Sequence, residues 1–287
     1  MRCPSEGLPA DLCAQVSSAI AEDVGAGDLS AQLIPQQSHA HARVISRESA
    51  ILCGAPWFDE VFRQLDPTVQ VGWRQPEGAS VAAGEVLCEL AGPARALLTG
   101  ERSALNFLQL LSATATVTHR YVAAIAGTGC RILDTRKTIP GLRTAQKYAV
   151  RCGGGTNHRM GLYDRVLIKE NHIAAAGSIG AAVAAARRLG AGGPIEVEAE
   201  TLAQVSAALQ VRADIVLLDN FEPAALRAAV ALNRAHPQPA QLEASGGVTL
   251  AGLRAIAETG VDFISIGALT KNVAAIDLSM RFADGSD

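Results

Sequence analysis

The sequence of 287 residues predicts an α/β fold in which a mixed α+β region precedes an α/β barrel. After Gly129, six short apolar runs typical of strands alternate with stretches typical of helices. The polar or glycine residues that end these runs recur at steps of 35, 29, 21, 26 and 22 residues from Asp134 to Gly267, the spacing of βα units. Because parallel strands need long crossovers, this alternation indicates a parallel sheet. Polar groups at every strand end favour a closed barrel over an open sheet.

The first part of the chain is expected to contain helices and short strands. Apolar residues at four-residue steps predict a helix over residues 9–21, and a longer helix is predicted over residues 99–126 with Thr99 as its N-cap. Runs separated by glycine and proline turns predict strands at residues 42–45, 69–73 and 86–90.

The barrel strands and their helices follow from the same pattern. Strands are predicted at residues 130–133, 165–168, 195–197, 214–218, 241–243 and 263–266, with helices such as 178–189 and 250–259 between them. The alanine-rich stretch 174–186 is read as ordinary helix at a close-packed barrel exterior.

Composition excludes several classes of protein. With 49% hydrophobic residues, 18% charged residues and a mean hydropathy of +0.19, the chain is too apolar to be disordered. It has no run of the roughly 18 apolar residues that a membrane helix needs. No basic-then-apolar leader is found in residues 1–28, and the six cysteines, without a C-x-x-C pair, suggest free thiols. The expected location is the cytoplasm.

Charge is unevenly distributed. The net charge of −3 argues against nucleic acid as a partner, yet residues 131–172 carry nine Lys or Arg and three acidic residues. The cations cluster after a predicted strand at Arg136 and Lys137, next to Thr135, and continue through the glycines 153–155 and His158 to Arg159 and Lys169. A solvated basic loop and a flexible glycine turn are the alternatives. We favour a pocket for a substrate with several negative charges, because such cations repel one another when the pocket is empty.

Carboxylates follow on later strands. Glu196, Glu198 and Glu200 alternate and therefore share one strand face, which points inward in a barrel, and Asp219 ends the next strand. One interpretation is a structural ion network. The other is that Glu198 and Asp219 bind Mg²⁺ or the hydroxyls of a phosphorylated ligand, since Mg²⁺ takes few carboxylates besides substrate oxygens and water.

The last two predicted strands end in small residues. These are Ser245, Gly246 and Gly247, and then Ser265, Ile266, Gly267 and Ala268. Tight turns would explain either group alone. Two such groups at adjacent barrel positions favour a phosphate site made by main-chain N–H groups.

Taken together, the motifs resemble those of the quinolinate phosphoribosyltransferase family, in order along nearly the whole chain. The matching strings are EDVGAGD (22–28), ERSALN (101–106), DTRKTIPGLR (134–143), KYAV (147–150), GGGTNHR (153–159), LIKENH (167–172), EVE (196–198), LDNF (218–221), EASGG (243–247) and IGALT (266–270). Two departures are Lys271-Asn272, where the family usually has His-Ser, and Ala113-Thr114, where it usually has Gly-Ile. Neither touches the cationic set.

The resemblance implies an activity. Quinolinate and phosphoribosyl pyrophosphate would give nicotinate mononucleotide, pyrophosphate and CO2 in NAD biosynthesis, with Mg²⁺, as in a carboxylating nicotinate-nucleotide diphosphorylase, a pentosyltransferase. It also implies an N-terminal open-faced α/β sandwich (residues 1–110, with the tail 272–287 packing on it) and an irregular α/β barrel with fewer than eight strands (111–271). The molecule would be a homodimer.

The resemblance further implies residue roles. The quinolinate carboxylates would be bound by Thr135, Arg136, Lys137, His158, Arg159, Lys169 and, from the partner subunit, Arg102. Catalysis, phosphoribosyl pyrophosphate and Mg²⁺ would involve Lys137, Glu198 and Asp219. The 5′-phosphate would be bound by Ser245, Gly246, Gly247, Ile266, Gly267 and Ala268.

Other functions remain as alternatives. A related transferase of the type found in molybdate operons would use a different aromatic acid. A Schiff-base barrel lyase would use Lys169 as its nucleophile, with a pKa depressed by neighbouring cations. A non-catalytic sensor of anionic metabolites would have no reason to place Glu198 and Asp219 near its ligand.

Overall fold

The computed structural model describes residues 7–190 and 192–282. Within it the chain divides into two compact units. Unit 1 comprises the described residues up to His119, Thr138–Gly154 and those from Leu269 onward, and unit 2 comprises Arg120–Lys137 and Gly155–Ala268. The domain boundaries expected from the sequence stay a prediction.

Helices and strands alternate along most of the described chain. The helices are α1 (Leu12–Val24), α2 (Ala55–Leu65), α3 (Ala94–Ala124), α4 (Arg143–Cys152), α5 (Glu170–Ala176), α6 (Ile179–Arg188), α7 (Leu202–Gln210), α8 (Pro223–Ala235), α9 (Leu250–Ala257) and α10 (Ala268–Lys271). The strands are β1 (His39–Ser46), β2 (Ala50–Ile51), β3 (Gln70–Trp73), β4 (Ser80–Val81), β5 (Val86–Pro93), β6 (Arg131–Leu133), β7 (Val166–Ile168), β8 (Ile195–Ala199), β9 (Ile215–Asp219), β10 (Gln241–Ser245), β11 (Phe263–Ser265) and β12 (Leu278–Phe282).

Unit 1 contains an antiparallel sheet in the order β12-β1-β5-β3. The last strand of the chain, β12, pairs with β1, so that Val44 lies opposite Met280. Fully buried aromatic and aliphatic side chains, including Trp57 and Phe58 of α2 and Leu108 of α3, form the core of this unit. Their burial supplies most of the free energy that holds helices on a sheet.

Unit 2 contains six parallel strands in the order β6-β11-β10-β9-β8-β7, which confirms the predicted α/β fold. Val197, Val216, Leu218 and Ile264 are completely buried, as expected for parallel strands that are covered on both faces. Because the strands are parallel, their carboxyl ends lie along one edge of the sheet. This edge carries the polar residues that the sequence analysis singled out.

The two outer strands of this sheet are β6 and β7. Within the described residues β6 and β7 do not pair with each other, and Thr156 instead forms a parallel bridge with Leu133. The segment that carries the glycine and histidine motif therefore lies against β6.

Two local expectations are corrected. Thr99 lies inside α3, which begins at Ala94, and its hydroxyl donates a hydrogen bond to Asp28 instead of capping a helix. The alanine-rich stretch forms two helices, because Gly177 adopts a left-handed conformation and Ser178 caps α6.

The cysteines also differ from the expectation of free thiols throughout. Four of the described cysteines are free: Cys13, Cys53, Cys88 and Cys130. Cys152 takes part in a disulfide, and Cys3 lies outside the described residues. The wide spacing of cysteines in the sequence gives no sign of pairing, because folding decides which sulfurs meet. No helix among the described residues has the length and apolar character needed to cross a membrane.

Candidate active site

Unit 2 brings most of the expected site residues to one edge of its sheet. Thr135, Arg136 and Lys137 follow β6, Lys169 follows β7, Glu198 lies near the end of β8, and Asp219 ends β9. The small residues Ser245, Gly246, Gly247, Ile266, Gly267 and Ala268 stand at the ends of β10 and β11. Parallel strand ends are where α/β proteins bind ligands.

Two arginines from separate segments converge in this unit. Arg136 follows β6, and Arg159 follows the segment that bridges to the same strand. Burial lowers the pKa of Arg159, and repulsion from Arg136 lowers it further. The nearby carboxylates of Glu196 and Asp164 act in the opposite direction, so positive and negative groups meet around Arg159.

Lys169 and Glu198 form a direct ion pair. The Lys169 Nζ atom lies 2.6 Å from Oε2 of Glu198, whose side chain is 12% exposed, whereas that of Lys169 is 47% exposed. This contact ties the Lys169 side chain to Glu198, at the strand ends where Asp219 also lies.

Asp219 stands beside the same pair. Burial raises the pKa of the Asp219 carboxyl, and repulsion from Glu198 raises it further, although Lys169 and Lys137 act in the opposite direction. Two neighbouring carboxylates that repel each other fit a hard divalent cation, which would relieve the repulsion. Glu198 and Asp219 therefore have the chemistry for Mg²⁺, with substrate oxygens and water completing the shell.

The two other alternating glutamates lie in environments that differ from that of Glu198. Glu196 is fully buried in β8, whereas Glu200 is exposed just beyond the strand end. The expected inward row of three carboxylates is thus wrong for Glu200. The strand ends before that residue, and the alternation of faces ends with it.

Beneath the strand ends lies a buried cluster of His158, Glu196 and Glu243. The His158 Nε2 atom is 3.1 Å from Glu196 Oε2 and 3.4 Å from Glu243 Oε2, and all three side chains are at most 8% exposed. Burial raises the pKa of Glu196, although its hydrogen bond with His158 opposes this. Glu243 was not singled out as a site residue from the sequence, since nothing local shows that strand β10 places it against His158.

The protonation of His158 depends on opposing contacts. Burial lowers the pKa of His158, but the hydrogen bonds with Glu196 and Glu243 outweigh burial and, with the charges of these carboxylates, raise the pKa to about 9. The Arg159 main-chain N–H acts against this, because it donates to Nδ1 at 2.7 Å and needs that nitrogen unprotonated. A proton on Nδ1 would face the amide hydrogen, so the ring carries its proton on Nε2, between the two carboxylates.

The glycine residues after β10 allow a close main-chain approach. Gly246 and Gly247 have φ angles of +99° and +55°, a region that side chains other than glycine rarely adopt. A Cβ atom on Gly246 would lie 2.1 Å from Oδ1 of Asn220, so this position has room only for glycine. Gly267 is less confined, because a Cβ there would lie 2.9 Å from Cδ of the flexible Lys137 side chain.

Arg102 is the one expected site residue outside unit 2. It lies on α3 in unit 1 and is exposed. Its contribution to a partner subunit's site stays a prediction.

Comparisons with known proteins agree with this geometry. The family model described as "Quinolinate phosphoribosyl transferase, C-terminal domain" matches residues 114–281, and the model of the N-terminal domain matches residues 28–112. A probable carboxylating nicotinate-nucleotide pyrophosphorylase of Bacillus subtilis is 45% identical over 260 residues, covering 90% of this chain and 89% of the relative. The human enzyme of that name is 37% identical, covering 96% and 95%.

Solved structures give the same result. The nicotinate-nucleotide pyrophosphorylase of Francisella tularensis superposes with a TM-score of 0.92 at 47% identity, covering 96% of this chain and 97% of that chain. Family models and relatives thus extend over both halves of the sequence. The chain belongs to the quinolinate phosphoribosyl transferase family.

Proposed function

We propose that this protein transfers the phosphoribosyl group of phosphoribosyl pyrophosphate to quinolinate and decarboxylates the product to nicotinate mononucleotide, in NAD biosynthesis. The observation that carries the proposal is that Arg136 and Arg159 come from two segments bridged at β6, in the sheet whose strand ends also hold Glu198 and Asp219. A flat diacid and an activated sugar phosphate need opposite charges side by side. The names of the relatives point to the same chemistry.

The diacid would be bound by cations. Arg136 and Arg159 would pair with its two carboxylates, because a guanidinium presents a planar fork of donors. Thr135, Lys137, His158 and Lys169 would complete this half of the site, with Arg102 of a partner subunit. Binding a dianion would remove the repulsion that depresses the pKa of Arg159.

The sugar phosphate would occupy the other half of the site. Glu198 and Asp219 would hold Mg²⁺, which supplies positive charge to the pyrophosphate group when bound. Lys137 would contact the same leaving group. Ser245, Gly246, Gly247, Ile266, Gly267 and Ala268 would hold the 5′-phosphate through main-chain N–H groups, because the glycines let the backbone approach closely.

Catalysis would rest on positioning and electrostatics. The ring nitrogen of quinolinate uses its lone pair to form a bond with C1 of the ribose, and the C1–O bond breaks with its electrons going to pyrophosphate. No general base is needed, because this lone pair is already free. The ring nitrogen is then cationic and stabilises the electron pair left on the adjacent carbon when CO2 departs. A solvent proton replaces the lost carboxylate, and Lys137 or Lys169 would stabilise the transient negative charge.

The proposal extends to assembly and location. A homodimer would allow Arg102 of one subunit to enter the barrel mouth of its partner, and the enzyme would act in the cytoplasm. Mixing Arg102→Ala and Arg159→Ala proteins tests the first point. If the sites are shared, mixed dimers hold one intact site and regain activity that neither parent has; no recovery would contradict the shared site.

The substrate test is direct. We expect pyrophosphate release with phosphoribosyl pyrophosphate and Mg²⁺ when quinolinate is added, with CO2 in equal amount, and little release with nicotinate or phthalate. Release with another aromatic acid in preference to quinolinate would favour the transferase type of molybdate operons. A borohydride-trapped adduct at Lys169 would favour the lyase and overturn the proposal.

A further inference from the structure

Asp134 is a buried carboxylate that neither the charge pattern nor the family resemblance assigns to the site. It follows β6 directly, is completely buried and stands two residues before Arg136. Its Oδ1 atom accepts the main-chain N–H of His158 at 2.8 Å, and its Oδ2 atom accepts a hydrogen bond from Nδ2 of Asn157 at 2.6 Å. Asp134 therefore joins the strand that leads to Arg136 to the segment that leads to Arg159.

Main-chain bonds attach the first part of this segment to β6. The Thr156 N–H donates to the carbonyl of Ile132 at 2.8 Å, and the Asp134 N–H donates to the carbonyl of Thr156 at 3.2 Å. The Asp134 side chain continues the attachment over the next two residues. It ends at the residue immediately before Arg159.

His158 is held from its other end as well. Its ring lies against Glu196 and Glu243, and its Nδ1 atom accepts the main-chain N–H of Arg159. Both ends of His158 are thus fixed by buried carboxylates, and the ring in turn fixes the backbone of Arg159.

We propose that Asp134 is a positioning residue that sets the separation of Arg136 and Arg159 for a dicarboxylate. It acts through His158, whose main-chain N–H it accepts and whose ring accepts the main-chain N–H of Arg159. Asp134 does not touch the substrate, because it is buried behind the segment that it holds. This inference rests on the proposed function. Bidentate pairing needs both guanidiniums at a fixed spacing, and displacement of about 1 Å can cost about a hundredfold in rate.

An exchange of side chains tests the proposal. Asp134→Asn leaves one oxygen for the two N–H donors that Asp134 accepts, so the Asn157 amide must turn over or lose its partner, and Asn157→Asp places two carboxylates there. The double variant restores one donor and one acceptor and leaves an oxygen for the His158 N–H. Asp262→Asn is the control: Asp262 is exposed, but its carboxylate likewise accepts a main-chain N–H, that of Leu242 at 2.8 Å, just before β11 and away from the carboxyl strand ends.

The measurements are calorimetric binding of phthalate, a non-reacting dicarboxylate, the KM values for quinolinate and phosphoribosyl pyrophosphate, and the Tm. We expect each single variant to weaken phthalate binding and to raise the quinolinate KM by about tenfold or more, with the KM for phosphoribosyl pyrophosphate within about twofold. The double variant should recover most of the loss. Asp262→Asn should lower the Tm and leave both KM values unchanged.

Unchanged phthalate binding in Asp134→Asn, an equal loss in Asp262→Asn, or no recovery in the double variant would overturn the proposal. If Asp134→Asn does not fold, Asn157→Ala carries the test, with a smaller loss of binding expected and unchanged binding counting against us. A wild-type protein that binds phthalate but does not release pyrophosphate from quinolinate would contradict the proposed function alone. A wild-type protein that binds neither diacid would contradict both.

Discussion

The glycine pair after β10 offers a sharp test of the phosphate site. In Gly246→Ala the new Cβ would lie 2.1 Å from Oδ1 and 2.9 Å from the backbone N of Asn220, and the φ angle of +99° is itself strained for alanine. A residue other than glycine in such a region costs about 1–3 kcal/mol, before any cost of moving Asn220. Gly247→Ala is the matched control, because no atom lies within 4 Å of its Cβ and its φ of +55° is the milder left-handed region.

We expect Gly246→Ala to raise the KM for phosphoribosyl pyrophosphate by about tenfold to a hundredfold, since about 1.4 kcal/mol corresponds to a factor of ten. Gly247→Ala should change it by about fivefold at most, because the left-handed penalty is about 1 kcal/mol there. Steady-state kinetics with saturating quinolinate measure both. Equal effects of the two variants would refute the reasoning, because only Gly246 lacks room for a side chain.

Other predictions concern the charged groups. Arg159→Ala should raise the quinolinate KM by about thirtyfold, since hydrogen bonds to charged groups contribute about 1.5–3 kcal/mol. Arg159→Lys keeps the charge but lacks the planar fork of donors, so it should recover only part of the loss. Near wild-type kinetics in Arg159→Ala would count against the diacid site. The raised pKa of Asp219 means that its ionised form disfavours folding at neutral pH, and this cost disappears as the pH falls through the pKa of the folded state. Asp219→Asn should therefore raise the Tm at pH 7 and abolish turnover. A lowered Tm would contradict the assigned repulsion between Asp219 and Glu198. Lys169→Met should lose activity, because the ion pair with Glu198 is lost. Borohydride should trap no adduct in the wild-type enzyme, and a covalent adduct at Lys169 would contradict its role in the ion pair.

The site could be predicted from the sequence where chemistry is concentrated in local motifs. Arg136 and Lys137 adjoin a recognisable strand, and Gly246 and Gly247 follow another, so parallel topology alone places them on one edge. The pattern failed at Thr99 and Glu200. In both cases the true end of a helix or strand, which periodicity locates only within a few residues, decided the role of the side chain.

Residues that act through other residues carry no local signal. Asp134 and Glu243 are single carboxylates in otherwise ordinary strand ends, and their partners His158 and Asn157 are distant in sequence. Cys152 is a similar case, because its disulfide is invisible in the spacing of the cysteines.

The sequence by itself determined the α/β alternation, the order of the six parallel strands' ends along the chain, and the kinds of residue that stand at those ends. These follow from hydrophobic periodicity and residue type, which are local properties. Only the tertiary structure decided that Lys169 pairs with Glu198 and that buried carboxylates hold His158 from two sides. The physical reason is that electrostatic energies depend on distance and burial, and folding sets both for groups far apart in the chain.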